Sequence, residues 1–143
     1  MKIRVGLSAI VLAASLWGAQ GIAIVKNLKG NVLIKQEGVY KSLEKGTYLQ
    51  AGDILQTADN SSVGVVFNDG TVISLGPKSL FVVNRYRFKP SANEYDFDMT
   101  LSKGTVAVET GKIGKLAPQN VSFKVPQGSV GIRGTKFIIE VEE

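Results

Sequence analysis

The chain has 143 residues, a formal net charge of +5, and neither cysteine nor histidine. This length fits one domain with a real hydrophobic core, since apolar residues make up 44% of the sequence. The missing residue types exclude disulfides, thiolate chemistry, the usual zinc sites and every catalytic scheme that needs an imidazole base. We therefore expect a protein that is not an enzyme and uses no cofactor, although a carboxylate or lysine enzyme stays formally open.

Residues 1–23 have the pattern of a secretory signal peptide. Lys2 and Arg4 form a short positive region, and an almost wholly apolar run follows over residues 5–16. Export would lower the formal net charge from +5 to +3 by removing these two cations. So small a charge on an exported chain gives little support to a nucleic-acid partner. We predict a periplasmic or otherwise exported protein.

The cleavage point of this segment is poorly defined by the sequence. A cut after Ala19 would place the bulky Trp17 at the −3 position, so cuts after Gly21 or Ala23 satisfy the small-residue rule better. An uncleaved anchor is the alternative, because the apolar stretch continues to Val25 and barely reaches the ~20 residues that a bilayer requires. In that case this segment would be the protein's contact with the membrane.

Residues 24–143 form the predicted mature domain, which consists of short strands separated by turns. The clearest strand-like runs are residues 30–35, 39–41, 53–57, 63–67 and 72–75. The sequence Asn68-Asp69-Gly70 is the strongest hairpin signal, and its Asp-Gly pair predicts a type I′ turn. No segment of the mature chain has a helical period over three turns. We predict an all-β domain built as one rolled sheet, either β-solenoid-like or barrel-like.

One hairpin can be predicted residue by residue. Cations alternate with aromatic residues over 85–89, and carboxylates alternate with apolar residues over 94–98. A four-residue loop over 90–93 gives five cross-strand pairs, namely Lys89 with Glu94, Arg87 with Asp96, Arg85 with Asp98, Phe88 with Tyr95, and Tyr86 with Phe97. We expect the aromatic face to be buried and the charged ladder to be solvated. Because each charge is countered across the hairpin, the pattern argues against a nucleic-acid patch, a calcium site and a catalytic carboxylate pair.

A short glycine-led repeat also runs through the chain. Gly70, Gly104 and Gly128 each begin a Gly-[Ser/Thr]-Val sequence, and Gly30 begins a looser copy. The repeat suggests stacked β coils, or it reflects the common use of glycine before a strand in all-β chains. With either origin, we expect these glycines to mark turns on one rim of the rolled sheet.

Six short motifs follow one another along the chain: Gly30-Asn31-Val32, the run 49–57, Val66-Phe67-Asn68-Asp69-Gly70-Thr71 with Leu75, Lys103-Gly104-Thr105-Val106, Val125-Pro126, and Gly131-Ile132-Arg133-Gly134-Thr135-Lys136-Phe137. Together they resemble the FecR-like domain, a periplasmic all-β module. The resemblance covers about residues 30–141. It implies either a regulator that carries a signal from an outer-membrane receptor to a sigma factor, or a stand-alone exported protein.

The chain departs from the regulators of that family. Their sigma-binding domain precedes a membrane span, whereas four residues precede the apolar segment here, and no receptor-contacting domain follows Glu143. We therefore expect a stand-alone module that binds another envelope protein or a wall polymer, through a sheet edge left by its terminal strands. A structural subunit that assembles with its own copies through those edges is the alternative, and a carboxylate enzyme acting on glycans is the least favoured.

The resemblance also singles out a set of motif residues. They are Gly52, Asp53, Thr57, Gly131, Arg133, Gly134, Thr135 and Phe137. We expect the three glycines to meet backbone requirements, and Asp53 and Thr57 to stabilise a turn. Arg133 lies between two glycines, so its guanidinium either pairs with a buried carboxylate, with Asp53 as the named candidate, or contacts a ligand or partner.

Replacing Arg133 by lysine separates these two roles. Lysine keeps the charge but loses the planar bidentate geometry, so a buried pair would be weakened and the melting temperature would fall. Thermal unfolding of the purified variant measures this. An unchanged melting temperature would contradict the structural pair.

Overall fold

The computed structural model describes residues 21–132 and 135–142, and it is all-β as predicted. The described residues form twelve strands: β1 (Ala23–Lys29), β2 (Val32–Gln36), β3 (Val39–Ser42), β4 (Tyr48–Leu49), β5 (Ile54–Thr57), β6 (Ser62–Phe67), β7 (Val72–Leu75), β8 (Leu80–Lys89), β9 (Glu94–Glu109), β10 (Val121–Val125), β11 (Gly128–Gly131) and β12 (Lys136–Val141). One short helix, α1 (Lys112–Leu116), and two 3₁₀ turns, Pro90–Ala92 and Pro118–Asn120, complete the fold.

The strands form one curled sheet with the shape of a half-barrel. The first half has the order β4-β1-β6-β7-β9-β12, and the second half has the order β3-β2-β5-β8-β9-β10-β11. The 16-residue strand β9 belongs to both halves. Neighbouring strands are antiparallel except for β9 and β10. The rolled sheet is thus confirmed, and its antiparallel order shows a barrel-like sheet instead of stacked parallel coils.

The core lies on the concave side of this sheet. Alternate residues of the central strands are buried, as the period of a pleated strand requires. A row of phenylalanine rings crosses the interior, with centroid distances of 5.1 Å from Phe67 to Phe97, 5.7 Å from Phe97 to Phe123 and 5.7 Å from Phe123 to Phe137. Each fully buried ring of this kind contributes about 1.5–3 kcal/mol. The row connects β6, β9, β10 and β12 across both halves.

Strand β9 changes from one half to the other at Gly104. This residue has a φ of +95°, and a β-carbon here would lie 2.1 Å from Ser79 Oγ. Ser79 is fully buried, and its hydroxyl accepts a hydrogen bond from Thr105 N at 3.0 Å and donates one to Gly76 O at 2.9 Å. The expectation that the repeat glycines all mark turns on one rim is therefore wrong for Gly104, which lies inside a strand and allows close packing at a bend.

The hairpin between β6 and β7 forms where it was predicted, but its turn is of a different type. Gly70 N donates to Phe67 O at 2.9 Å, and of the loop residues only Gly70, with a φ of +93°, has a positive φ. A type I′ turn needs positive φ at both central residues, so that prediction is wrong. Asp69 is buried, and its φ is not positive because its carboxylate is held both by the Thr71 hydroxyl at 2.8 Å and by the distant Ile113 N at 3.0 Å.

Asp69 also anchors helix α1, which the sequence did not predict. Its Oδ2 accepts from Ile113 N at 3.0 Å, and its backbone oxygen accepts from Lys112 N at 2.9 Å. The Tyr86 hydroxyl donates to Asp69 Oδ1 at 2.9 Å. Burial, assisted by the nearby Asp69 charge, raises the pKa of Tyr86 far above its ordinary value. The helix has five residues and thus no detectable period, so its position depends on these tertiary contacts.

The predicted register of the β8–β9 hairpin is confirmed at all five pairs. The ion pairs also form, but mostly along the diagonals: Arg85 Nε lies 2.9 Å from Asp96, and Arg87 Nη1 lies 3.0 Å from Glu94. Both of these carboxylates are at least one-third exposed, so this part of the ladder is solvated as expected. Exposed pairs of this kind contribute little to stability.

Asp98 is the exception, because it is only 2% exposed. Lys124 Nζ lies within 2.7 Å of both carboxylate oxygens, Arg85 Nη2 lies at 2.9 Å, and Asn84 Nδ2 donates at 3.1 Å. The prediction of a solvated ladder is wrong at this residue. The physical reason is that β10 pairs in parallel with β9 and places Lys124 over the carboxylate, a long-range pairing that the local alternation does not encode.

The β1 strand includes the end of the segment for which a signal peptide was predicted. Ile22 N donates to Leu49 O, and Ile22 O accepts from Asn68 N, both at 2.9 Å, while Ala23 is buried. A cut after Gly21 would keep these contacts, whereas a cut after Ala23 would remove them. Residues 1–20 lie outside the described residues.

Replacing Gly104 by alanine tests the bend in β9. A side chain there is strained by the positive φ and collides with Ser79, so we expect the free energy of unfolding to fall by about 3 kcal/mol or more. Gly131→Ala is the matched control, because its added β-carbon meets no atom within 4 Å, and we expect a change within about 0.5 kcal/mol. Urea unfolding measures both variants, and equal losses would contradict this role of Gly104.

Replacing Asp98 by asparagine tests the buried carboxylate. Burial raises the pKa of Asp98, but the hydrogen bonds from Lys124 and Asn84 and the charges of Lys124 and Arg85 together outweigh it, so the pKa is lowered overall. A lowered pKa contributes stability above the unfolded value of about 3.9, and this stability is lost as pH falls through the folded value.

We therefore expect the Asp98→Asn variant to lose about 3 kcal/mol at pH 7 and to approach the unsubstituted protein in stability at acid pH. Asp96→Asn is the control, with an expected loss below about 1 kcal/mol because its ion pair is exposed. Denaturant unfolding at several pH values measures both. A loss for Asp98→Asn that is the same at pH 3 and pH 7 would contradict this account.

Candidate functional site

The hairpin of β2 and β3 forms an exposed apolar edge of the sheet. Its turn residues Glu37 and Gly38 have φ values of +50° and +81°, which is the pattern of a type I′ turn. All four side chains of β3 are exposed, including Val39 at 61% and Tyr40 at 51%, and Leu33 of β2 is also exposed. The Lys35 ammonium lies 5.1 Å from the centroid of the Tyr40 ring. Large apolar side chains are thus presented to solvent beside an unprotected strand.

The backbone of β3 leaves hydrogen-bonding groups facing outward. Among the described residues β3 is paired with β2 alone, in the register Gln36 with Val39 and Ile34 with Lys41. Hydrogen-bonded and non-hydrogen-bonded pairs alternate in an antiparallel ladder, and the bond from Leu43 N to Val32 O fixes the phase. The backbone groups of Tyr40 and Ser42 therefore point away from β2. An extended segment of another chain can pair with them.

A groove of about 730 Å³ lies between this hairpin and the turn before β5. It is lined by Lys35, Gln36, Glu37, Gly38, Val39, Lys41, Gln50, Ala51, Gly52, Asp53 and Ile54. Asp53 is buried, and its Oδ2 accepts hydrogen bonds from Gln36 Nε2 and from Gln50 N, each at 2.8 Å. Gly52 has a φ of +96°, which a turn at this point requires. Asp53 thus connects the motif turn to the exposed hairpin.

Thr57, the other motif residue of β5, stabilises the corner of the sheet at which β9 bends. Its hydroxyl donates to Gly76 O at 2.6 Å and accepts from Ser79 N at 2.8 Å. Asp53 and Thr57 therefore have separate partners at opposite ends of one strand. Thr57 belongs to the same buried corner that fixes the bend of β9.

The motif residues near the C-terminus lie elsewhere in the sheet. Thr135 O accepts from Thr110 N at 2.8 Å, and Phe137 is half-buried on β12 against Phe123. Gly131 ends β11 in a conformation without positive φ, with open space around it. Arg133 and Gly134 lie outside the described residues, so the pair of Arg133 with Asp53 stays a prediction.

A second open edge is formed by β12. Within the described residues this strand is paired with β9 alone, and Ile138 at its centre is 70% exposed. A shallow groove of about 510 Å³ lies beside it, lined by Val72, Ser74, Ala107, Val108, Glu109, Lys136, Phe137 and Ile138. Among the described residues β3 and β12 are thus two of four edge strands, since β4 and β11 also pair with one neighbour each.

The acidic side chains of the described residues are dispersed or paired with cations. No cluster of three metal-ligating side chains occurs within residues 21–132 and 135–142. The alternating carboxylates Glu94, Asp96 and Asp98 are each paired with a cation. In the same ranges no helix has the length and apolar character needed to cross a membrane.

The sequence predicts an open sheet edge at the terminal strands but does not specify which strands form it. The alternation of Lys136, Ile138 and Glu140 could have predicted the exposed face of β12. No such signal exists for β3, because its exposure depends on which neighbours the rolled sheet provides. An edge is a property of strand order, and strand order is a tertiary feature.

Comparison with known proteins gives one family. Neither curated proteins nor solved structures include a match to this chain. The sequence profile described as FecR protein matches residues 53–143, which is more than half of the chain. The match starts at Asp53, beside the exposed hairpin, and continues through the corner at Gly104 and both final strands. This family takes part in envelope signalling, and the chain belongs to it.

Proposed function

We propose that this chain is an exported, non-catalytic module of the cell envelope that binds an extended segment of another envelope protein along β3. The family supports a role in envelope signalling. The observation that carries the mode of binding is the exposed edge of β3, with outward backbone groups at Tyr40 and Ser42. Strand addition to such an edge supplies main-chain hydrogen bonds, and adjacent pockets select side chains.

The exposure of β3 argues that this edge has a partner. Soluble proteins usually protect an edge strand by keeping it short, or with lysine, proline, a bulge, inward charges or a covering loop. The β3 strand is short and carries Lys41, but its ladder has no register shift, and Val39 and Tyr40 are exposed on it. These exposed apolar side chains on an edge are a liability in isolation, and a bound strand would cover them.

The residues that line the groove beside β3 indicate which side chains a partner strand would carry. It combines the apolar side chain of Val39 with two cations, Lys35 and Lys41, and one anion, Glu37. The Asp53 carboxylate already accepts hydrogen bonds from Gln36 and Gln50, so cations outnumber the remaining carboxylate. A bound strand would place alternate side chains toward this groove. Apolar and acidic residues at those positions fit it best. An extended protein segment satisfies both the groove and the edge, whereas the glycan strands of a wall polymer have no peptide main chain to pair with the edge.

Tyr40→Pro tests the proposal, because it removes an N–H that points away from β2 and leaves the β2–β3 ladder intact. A photo-crosslinker at Val39 in the exported protein captures the partner in intact cells, and mass spectrometry identifies it. We expect Tyr40→Pro to reduce this crosslink by about tenfold, equivalent to about 1.4 kcal/mol. Tyr40→Thr is the control for the side chain alone, and Ser42→Pro is a second edge variant.

The melting temperature of each variant confirms that the domain stays folded. A protein adduct that forms equally well with both proline variants would contradict strand addition. Adducts to wall polymer without any protein partner would contradict the proposed class of partner.

A further inference from the structure

The second open edge, β12, is self-complementary. Its central sequence places a cation at Lys136 and an anion at Glu140, at equal distances from Ile138. Phe137 and Ile139 flank the same centre with two large apolar side chains. A strand with this symmetry matches an antiparallel copy of itself, because each charge then meets its opposite and each apolar residue meets another.

The outward-pointing main-chain groups of β12 favour the same pairing register with an antiparallel copy. Thr110 N donates to Thr135 O at 2.8 Å, which fixes the phase of the ladder between β9 and β12. Because bonded and non-bonded pairs alternate, the groups of Phe137 and Ile139 bond to β9, and those of Lys136, Ile138 and Glu140 point to the free edge. These three residues are the ones that a two-fold axis at Ile138 would pair across the edge.

We propose that two copies of this chain pair through antiparallel β12 strands about a two-fold axis at Ile138. Lys136 of each copy then lies opposite the partner's Glu140, and Ile138 lies opposite the partner's Ile138. The three outward-facing residues of each strand exchange main-chain hydrogen bonds, so the two half-barrels share one continuous sheet. The contact is isologous and closes as a dimer, not a filament.

The incomplete burial of apolar side chains on both faces of β12 supports a second copy of the chain as the partner. On the outer face, Ile138 is 70% exposed beside the groove that contains Val72 and Ala107. On the inner face, Phe137 and Ile139 pack against the core yet are only half-buried, unlike the fully buried residues of central strands. Pairing would bring Phe137 against the partner's Ile139 and continue the core across the axis. A second copy therefore covers both apolar faces of β12 and both of its charges.

This dimer is independent of the proposed function. It uses β12 in the first half of the sheet, whereas β3 ends the second half. Each dimer would leave two β3 edges free. If the proline variants of β3 do not reduce the crosslink, the dimer proposal is unaffected. If no dimer forms, the proposal of strand binding at β3 is unaffected.

The absence of cysteine from the sequence allows a sharp test on the purified exported protein. Directly paired residues in this register have Cα atoms about 5.5 Å apart, which suits a disulfide. We expect Ile138→Cys to form an intermolecular disulfide under mild oxidation. Glu140→Cys is the control, because its two copies would lie about 14 Å apart, four strand steps of about 3.4 Å, which is beyond disulfide reach.

Charge reversal provides a second, independent readout. Lys136→Glu places two carboxylates opposite each other, so we expect the dimer dissociation constant to rise at least about tenfold in light scattering or sedimentation. Adding Glu140→Lys to the same chain restores opposite charges and should restore association. A strict monomer at millimolar concentration, or equal crosslinking of Ile138→Cys and Glu140→Cys, would overturn the proposal.

Discussion

The bend of β9 at Gly104 is the constraint on which the rest of the structure depends. Before the bend β9 pairs with β8 and β10, and after it with β7 and β12. One strand can serve both halves of the sheet only if it turns without losing its ladder. The positive φ of Gly104 and its contact with Ser79 provide that turn, and Thr57 fixes Ser79 in place. The family motifs around these residues therefore describe a corner of the fold.

Two buried carboxylates, Asp69 and Asp98, also connect strands to their neighbours in other parts of the sheet. Asp69 connects the β6–β7 turn to helix α1 and to Tyr86, and Asp98 connects β9 to β8 and β10. Both have hydrogen-bond donors or cations around them, which is the condition under which a buried charge is tolerated. Their contacts fix the positions of the strands.

Because its curl does not close, the half-barrel has edge strands, and two of them, β3 and β12, differ in character. β3 has exposed apolar side chains beside a polar groove, whereas β12 has a symmetric arrangement of charges around Ile138. We propose the first edge for a strand of different sequence and the second for a copy of the same strand. A closed barrel of the same strands would have neither.

Local alternation was enough to determine the all-β class, the register of the 85–98 hairpin and the position of the β6–β7 turn, because each depends on neighbours in the chain. The tertiary structure alone decided that Asp98 is buried, that the turn at Asp69 is not type I′, and that Gly104 lies inside a strand. Each of these depends on a contact with a residue far away in sequence: Lys124, Ile113 and Ser79 respectively. The open edges belong to the same category, since a strand lacks a neighbour only when the whole sheet has been assembled.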